Sequence, residues 1–194
     1  MGVNAMTEKE YWDKAAEDPD VETKYISDID LNECLAAFAE HLITGSILEI
    51  GCGTGRLTTA MAERAVACQL HGIDISQKML DLAPKSSVKY SQCDGTGKIP
   101  YPDQSFESIY SVLTFQHIDA DTMQKYIQEA YRTLKDNGVF IFQFVEGDYD
   151  GFVDHNHQLP DVKLWLRDTG FEVPSFETGL VHPQWTWITG VKTS

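Results

Sequence analysis

No two cysteines in this chain have metal-ligand or redox spacing. Cys34, Cys52, Cys68 and Cys93 are widely separated, with no CxxC pair. That argues against a disulfide framework or a zinc site and favours reduced intracellular thiols. Positive charge is also scarce: 15 Lys and Arg stand against 30 Asp and Glu, for a formal net charge of −15 at pH 7. Neutralising nucleic-acid phosphates takes clustered Lys and Arg; no basic block or stripe occurs, so no nucleic-acid partner is expected. No apolar run approaches the roughly 18 residues of a membrane span, and the N-terminus lacks a charged-then-apolar leader. Met1-Gly2 opens like an acylation site, but Met6 stands where Ser or Thr is required. The expectation is a cytoplasmic protein with no membrane partner, a monomer or homodimer.

What is present points to one α/β domain. The 194 residues are 42% hydrophobic and 23% charged, enough for a sizeable core. The stretch Ser46 to Thr58, SILEIGCGTGRLT, organises the rest. Ile47, Leu48 and Ile50 form a short apolar run, as in a strand buried on both faces. Gly51, Gly53 and Gly55 follow, then a helical pattern from Arg56 to Ala67 with Leu57, Met61 and Ala65 on one face. Glycines allow positive φ and close backbone approach, and a helix N-terminus offers unpaired N–H groups. A ligand pocket is one reading of this turn; a plain strand-to-helix connection is the other.

The spacing narrows the ligand. A dinucleotide fingerprint is G-x-G-x-x-G and a P-loop is G-x-x-x-x-G-K-[ST]. Here the pattern is G-x-G-x-G, Arg56 stands where the dinucleotide motif wants glycine, and no Lys-Ser/Thr pair follows. Glu49, just before the turn, suits a ligand with a positive charge and amine or hydroxyl donors, and suits a pyrophosphate poorly. S-adenosylmethionine has those features: a sulfonium, an α-ammonium and a ribose diol.

The remaining chain alternates strand and helix. Glu8 to Glu17 reads as a short helix stopped by Asp18-Pro19-Asp20, and Asp28 or Asp30 can cap a second from about Leu31 to Leu42. Residues 1–45 thus form an N-terminal helical extension or lid, and 46–194 a Rossmann-like core, all within a single domain. Strands are expected at Gln69–Asp74, Val88–Cys93, Glu107–Leu113, Val139–Val145, Phe171–Glu177 and Trp185–Val191. Ser76 caps a helix through Leu82. Asp119 caps a longer helix closing at Asn137-Gly138, and another lies near Asp161 to Asp168. Repeated βα units imply a mostly parallel, doubly wound sheet covered on both faces.

Two acids end strands. Asp74 lies 23 positions after Gly51; in such sheets an acid about 20 positions past the glycine turn meets ribose hydroxyls, a charge-assisted contact. Asp94 ends the next strand, placed to accept from an adenine amino group. Asp103, in Pro102-Asp103-Gln104-Ser105, is turn chemistry.

These blocks resemble the class I S-adenosylmethionine-dependent methyltransferases, most closely the small-molecule enzymes of the ubiquinone/menaquinone-biosynthesis type. ILEIGCGTG at 47–55 resembles the cofactor loop and GIDIS at 72–76 the ribose-binding strand. Cys93-Asp94-Gly95, with Ile99-Pro100-Tyr101-Pro102-Asp103-Gln104-Ser105-Phe106-Glu107, resembles the adenine-side motif and the L-P-F-P-D-x-S-F-D run. Leu134-Lys135-Asp136-Asn137-Gly138 resembles the family's L-K-P-G-G turn, from which Asp136 and Asn137 depart. The resemblance implies a seven-stranded sheet of order 3-2-1-4-5-7-6 with strand seven antiparallel. It implies that Gly51, Cys52, Gly53 and Gly55 wrap the methionine and ribose, with Glu49 beside them. Asp74 would hold the diol, Ile75 and Met79 the adenine face, and Asp94 and Gly95 its edge. Thr114 would lie beneath the sulfonium.

The implied activity is methyl transfer to a small-molecule acceptor, with S-adenosylhomocysteine as product. Alternatives are a non-catalytic S-adenosylmethionine-binding subunit or sensor, and a NAD-dependent oxidoreductase, which Arg56 disfavours. His117, at the pocket end of strand four, is the candidate catalytic base and titrates near neutrality; orienting a loop is its other reading. His155 and His157 lie among Asp148, Asp150 and Asp154, but the loop lacks the calcium pattern D-x-[DN]-x-[DN]-G-x₅-E; a mobile loop or lid is expected there and no metal. Leu113-Thr114-Phe115-Gln116 stands where nucleic-acid enzymes of this class carry an Asn/Asp-Pro-Pro-Tyr/Phe tetrapeptide.

Overall fold

The computed structural model describes residues 6–21, 31–65, 67–85, 87–146, 155–179 and 181–194. Asp28, Asp30, Asp148, Asp150 and Asp154, named above, lie outside them.

Local chemistry sets the element ends. Helix α1 (Glu8–Ala15) opens with a capping box in which Thr7 and Glu10 satisfy each other's backbone N–H. Helix α2 (Leu31–Phe38) runs into a 3₁₀ turn at Ala39–His41. Strand β1 (Ser46–Ile50) leads through the glycine turn into α3 (Arg56–Arg64), then β2 (Gln69–Asp74) and α4 (Gln77–Leu82), whose N-cap is Ser76 as expected. Strands β3 (Lys89–Gln92) and β4 (Phe106–Ser111) precede a 3₁₀ turn at Phe115–His117. Helix α5 (Ala120–Thr133), capped by Asp119, β5 (Leu134–Val145), α6 (Leu159–Thr169), β6 (Phe171–Thr178) and β7 (Trp185–Lys192) complete the order.

The strands form one sheet in the order β3-β2-β1-β4-β5-β7-β6. Pairings from β3 to β5 are parallel, and β7 is antiparallel to both neighbours. Expected order and reversed seventh strand are both found. One face packs on α5 and α6 through Met123, Ile127, Ala130, Val162 and Leu166. The other packs on α2 and α3 through Leu35, Phe38, Leu57 and Met61. Alternation along β5 feeds both layers: Phe140, Phe142 and Phe144 enter the first, Val139, Ile141 and Val145 the second.

Several boundaries depart from expectation; α2, for one, gives way to its 3₁₀ turn after Phe38 rather than running to about Leu42. Helix α5 does not close at Asn137-Gly138: Leu134 already turns to φ −72°, ψ 142° and pairs with Phe106. Burying Leu134 completely outweighs another helical turn, and the extra residues of β5 bulge out before Val139 pairs with Ser108. Asn137 takes the left-handed conformation inside that bulge (φ 63°). Helix α3 ends at Arg64, three residues early. Strand β4 ends at Ser111 because Leu113 adopts φ 60°, which no strand contains.

Candidate functional site

The C-terminal ends of β1, β2 and β4 open into a cavity of about 550 Å³. In open α/β sheets ligands bind at this edge. Its floor is the glycine turn. Gly51 takes φ 72°, and a Cβ there would lie 2.0 Å from the Thr114 hydroxyl, so only glycine allows the two segments to meet. A Cβ on Gly53 would meet nothing within 4 Å, so the backbone faces open space. Gly55 is the left-handed N-cap of α3, and a Cβ there would strike the Tyr90 ring.

Two buried carboxylates flank the turn. Asp74 Oδ2 accepts from the Gly53 N–H at 2.8 Å and Oδ1 from the Ser76 N–H at 2.8 Å, which fixes its plane. Burial raises its pKa, and the backbone donors pull the other way. Glu49 accepts from the Thr58 hydroxyl and, at 2.9 Å, from the Tyr110 hydroxyl, both on Oε2. Burial pushes its carboxyl up to about 7 despite those donors. Thr54, also in the cavity wall, is 2% exposed, and its Oγ1 has no hydrogen-bond partner among the described residues. An unsatisfied buried hydroxyl costs roughly 1–3 kcal/mol and marks a place where a polar ligand atom belongs.

The far wall is the turn after β4. Thr114 Oγ1 lies 3.2 Å from the Ile50 carbonyl and 3.3 Å from that of Gly51, tying this turn to the glycine turn. His157, buried, sits with Nε2 3.0 Å from both the Phe115 and Ile118 carbonyls. Two carbonyls can only accept, so the proton is on Nε2, and burial lowers the ring's pKa and keeps it neutral. Helix α1 forms the roof. Its Asp13 accepts from the Ser76 hydroxyl at 2.6 Å, Ala15 and Val21 pack on Met79, and the Trp12 ring stands edge-on to His117 with centroids 5.2 Å apart.

A methyltransferase-domain family model matches residues 48–142, the span from β1 into β5 that carries the glycine turn, Asp74 and Thr114. Residues 48–142 carry a methyltransferase domain. The demethylmenaquinone methyltransferase of Lactobacillus johnsonii is 37% identical over 101 residues, covering 47% of this chain and 40% of that protein. The malonyl-[acyl-carrier protein] O-methyltransferase 1 of Coxiella burnetii is 31% identical over 143 residues, 68% of this chain and 49% of that one. The chain spans about half the length, or less, of these curated relatives. Among solved structures, Haemonchus contortus phosphoethanolamine N-methyltransferase 2 in complex with S-adenosyl-L-methionine aligns with a TM-score of 0.78 at 18% identity, over 100% of this chain and 61% of that one. An S-adenosylmethionine-dependent methyltransferase from Mesorhizobium loti gives 0.69 at 19% identity, over 84% of this chain and 100% of its own. At such identities the likeness is one of fold.

Within this methyltransferase domain, Glu49, Gly51, Cys52, Gly53, Asp74, Ile75, Met79, Gly95, Thr114 and His117 all line the one cavity. Gly55 and Asp94 do not. Gly55 packs against Tyr90 beneath the turn. The Asp94 carboxylate accepts through Oδ1 from the Thr96 N–H at 2.9 Å and the Thr96 hydroxyl at 2.6 Å, which also hold its pKa down. The backbone of Gly95 is what that segment offers the cavity. Sequence reasoning missed Thr54 and the Thr58 and Tyr110 partners of Glu49; Trp12 reaches the cavity from the segment expected as an extension or lid. Trp185 lies in the core and in the cavity wall together. Among the described residues no three His, Cys, Asp or Glu side chains are grouped to hold a metal, and no helix is long and apolar enough to cross a membrane.

Proposed function

We propose that this chain transfers a methyl group from S-adenosylmethionine to a small-molecule acceptor held in the remainder of the same cavity. The observation that carries it is the pair Glu49 and Asp74, two buried carboxylates on either side of an open glycine turn. They fit a ligand with a cationic end and a diol. Asp74, oriented by Gly53 and Ser76, receives the ribose hydroxyls, and Ile75 and Met79 supply apolar contact for adenine. Glu49 and the backbone at Gly51 to Gly53 receive the cationic methionine end, and the Thr54 hydroxyl gains its missing partner. Bound there, S-adenosylmethionine supplies a methyl group already activated on a sulfonium.

The protein's share is orientation and exclusion of water, worth roughly 7–11 kcal/mol when reacting atoms are well placed. The acceptor space is bounded by Cys34, Leu113, His117, His155, Val181 and Trp185. Around the whole cavity stand five carboxylates, Glu8, Glu33, Glu49, Asp74 and Asp119, and one guanidinium, Arg56. That balance favours neutral or amine-bearing acceptors over phosphates and carboxylates. Where the acceptor must shed a proton, His117 takes it, exchanging its contact with Gln116 for one with the acceptor.

Calorimetric titration of S-adenosylmethionine and S-adenosylhomocysteine into the wild type and Asp74→Ala tests the binding half. Micromolar affinity lost in the variant supports it; no binding to folded wild type ends the reading. Release of S-adenosylhomocysteine over matched pairs, such as tyramine and 4-hydroxyphenylacetate, then tests the acceptor. Faster turnover of the carboxylate member would overturn the charge argument.

A further inference from the structure

A single polar residue interrupts the apolar run of β5: Gln143, in Phe140-Ile141-Phe142-Gln143-Phe144-Val145, completely buried between Ile141 and Val145 along its strand face. It does not line the cavity. A buried amide is expensive unless its hydrogen bonds are made, so its partners explain why it is there.

Gln143 Oε1 accepts from the Leu113 N–H at 2.9 Å. Leu113 has φ 60°, and a non-glycine residue in that region costs on the order of 1 kcal/mol or more and persists only when its surroundings impose it. The bond to Gln143 fixes the direction of the Leu113 N–H and with it this backbone turn. Because Oε1 is the acceptor, the amide's Nε2 faces the other way and donates to Gln116 Oε1 at 3.3 Å. Gln116 Nε2 in turn lies 3.4 Å from His117 Nε2. The next residue after Leu113 is Thr114, whose hydroxyl reaches the Ile50 and Gly51 carbonyls. One side chain in the sheet thus reaches both the glycine turn, through Leu113 and Thr114, and the acceptor wall, through Gln116 and His117.

We infer that Gln143 is a positioning residue: it holds the strained turn 113–117 so that Thr114 braces the glycine turn and His117 faces the acceptor. This rests on the methyl-donor reading of the cavity. It predicts that a residue touching no ligand governs ligand affinity, through the backbone of Leu113.

Three variants decide it: Gln143→Met, which keeps side-chain volume and loses the amide, Leu113→Gly, and the two combined. S-adenosylhomocysteine affinity is the readout, with thermal unfolding alongside. Glycine adopts positive φ without strain, so it removes the need for the restraint. Gln143→Met should bind S-adenosylhomocysteine about tenfold more weakly, and adding Leu113→Gly should restore affinity to within about threefold of Leu113→Gly alone. Should Gln143→Met not fold, a double variant that folds and binds gives the same support. Wild-type affinity in Gln143→Met, or a double variant no better than the single one, overturns the inference. If the wild type itself binds no S-adenosylhomocysteine, the methyl-donor reading falls. Rescue of thermal stability by Leu113→Gly then still decides the role of Gln143.

Discussion

Glu49 should make ligand binding a proton-releasing event. With no cation beside it, burial holds its carboxyl near pH 7. A sulfonium or ammonium in the cavity favours the ionised form, so binding must expel the proton. If the bound-state value returns to the ordinary 4.5, linkage gives about 0.9 proton released near pH 6 and an affinity about tenfold weaker there than near pH 8. The same shift has an opposite effect on the unliganded fold. Between pH 4.5 and about 7 the unfolded chain ionises this group while the folded chain keeps its proton. Stability is therefore fully present below 4.5, falls as pH rises through 7, and by pH 8 has lost about 3 kcal/mol. Glu49→Gln should remove Glu49's share of both effects, giving a protein more stable near pH 8 that binds S-adenosylmethionine more weakly and releases fewer protons on binding. Asp74 titrates in both proteins, so the difference isolates Glu49. Calorimetry in buffers of different ionisation enthalpy, beside thermal unfolding against pH, measures all of this. Equal affinity near pH 6 and pH 8 with no proton released would refute the counter-charge role.

Other expectations are simpler. Gly51→Ala forces a Cβ into the Thr114 side chain at a left-handed φ; a loss of about 2–4 kcal/mol of stability, together with loss of ligand binding, should show in thermal melts and titration. Arg132 donates to the Ile99 and Tyr101 carbonyls and pairs with Asp103 and Glu129, outside the cavity. Arg132→Met should lower stability by about 2 kcal/mol in thermal or denaturant melts while leaving S-adenosylhomocysteine affinity unchanged. Trp12→Ala removes part of the roof and the ring against His117; S-adenosylhomocysteine should then dissociate several-fold faster in stopped-flow measurements, with stability nearly unaffected.

Legibility differed by kind of signal. Sheet order and most boundaries followed from patterns that repeat locally: apolar runs, the Ser76 and Asp119 caps, glycines where a turn must go. The bulge before Val139 was not legible, because Asn137-Gly138 is good helix-stop chemistry and only the pairing of Leu134 with Phe106 overrides it. Glu49 and Asp74 were readable as acids at strand ends. The partners that tune Glu49 were not, since Thr58 is nine positions away and Tyr110 sixty-one. Asp94 looked like Asp74 in sequence, yet it is exposed and its bonds are to Thr96, two positions on, rather than to the glycine turn. Gln143 did leave a trace, one polar letter in a run of six, but its meaning needed the φ of Leu113.

The roof bears on timing. Helix α1 is eight residues long, below the roughly 12–15 at which an isolated helix holds itself in water. Its order is therefore borrowed from α4 through the cap residue Ser76 and through Met79, just past Asp74. As the roof over this cavity, α1 is expected to act as a lid that lifts for a ligand to enter or leave. Observed association rates should then level off with rising ligand concentration at the frequency of that lifting, and residence time should respond to changes in Glu8–Ala15 as well as in the glycine turn.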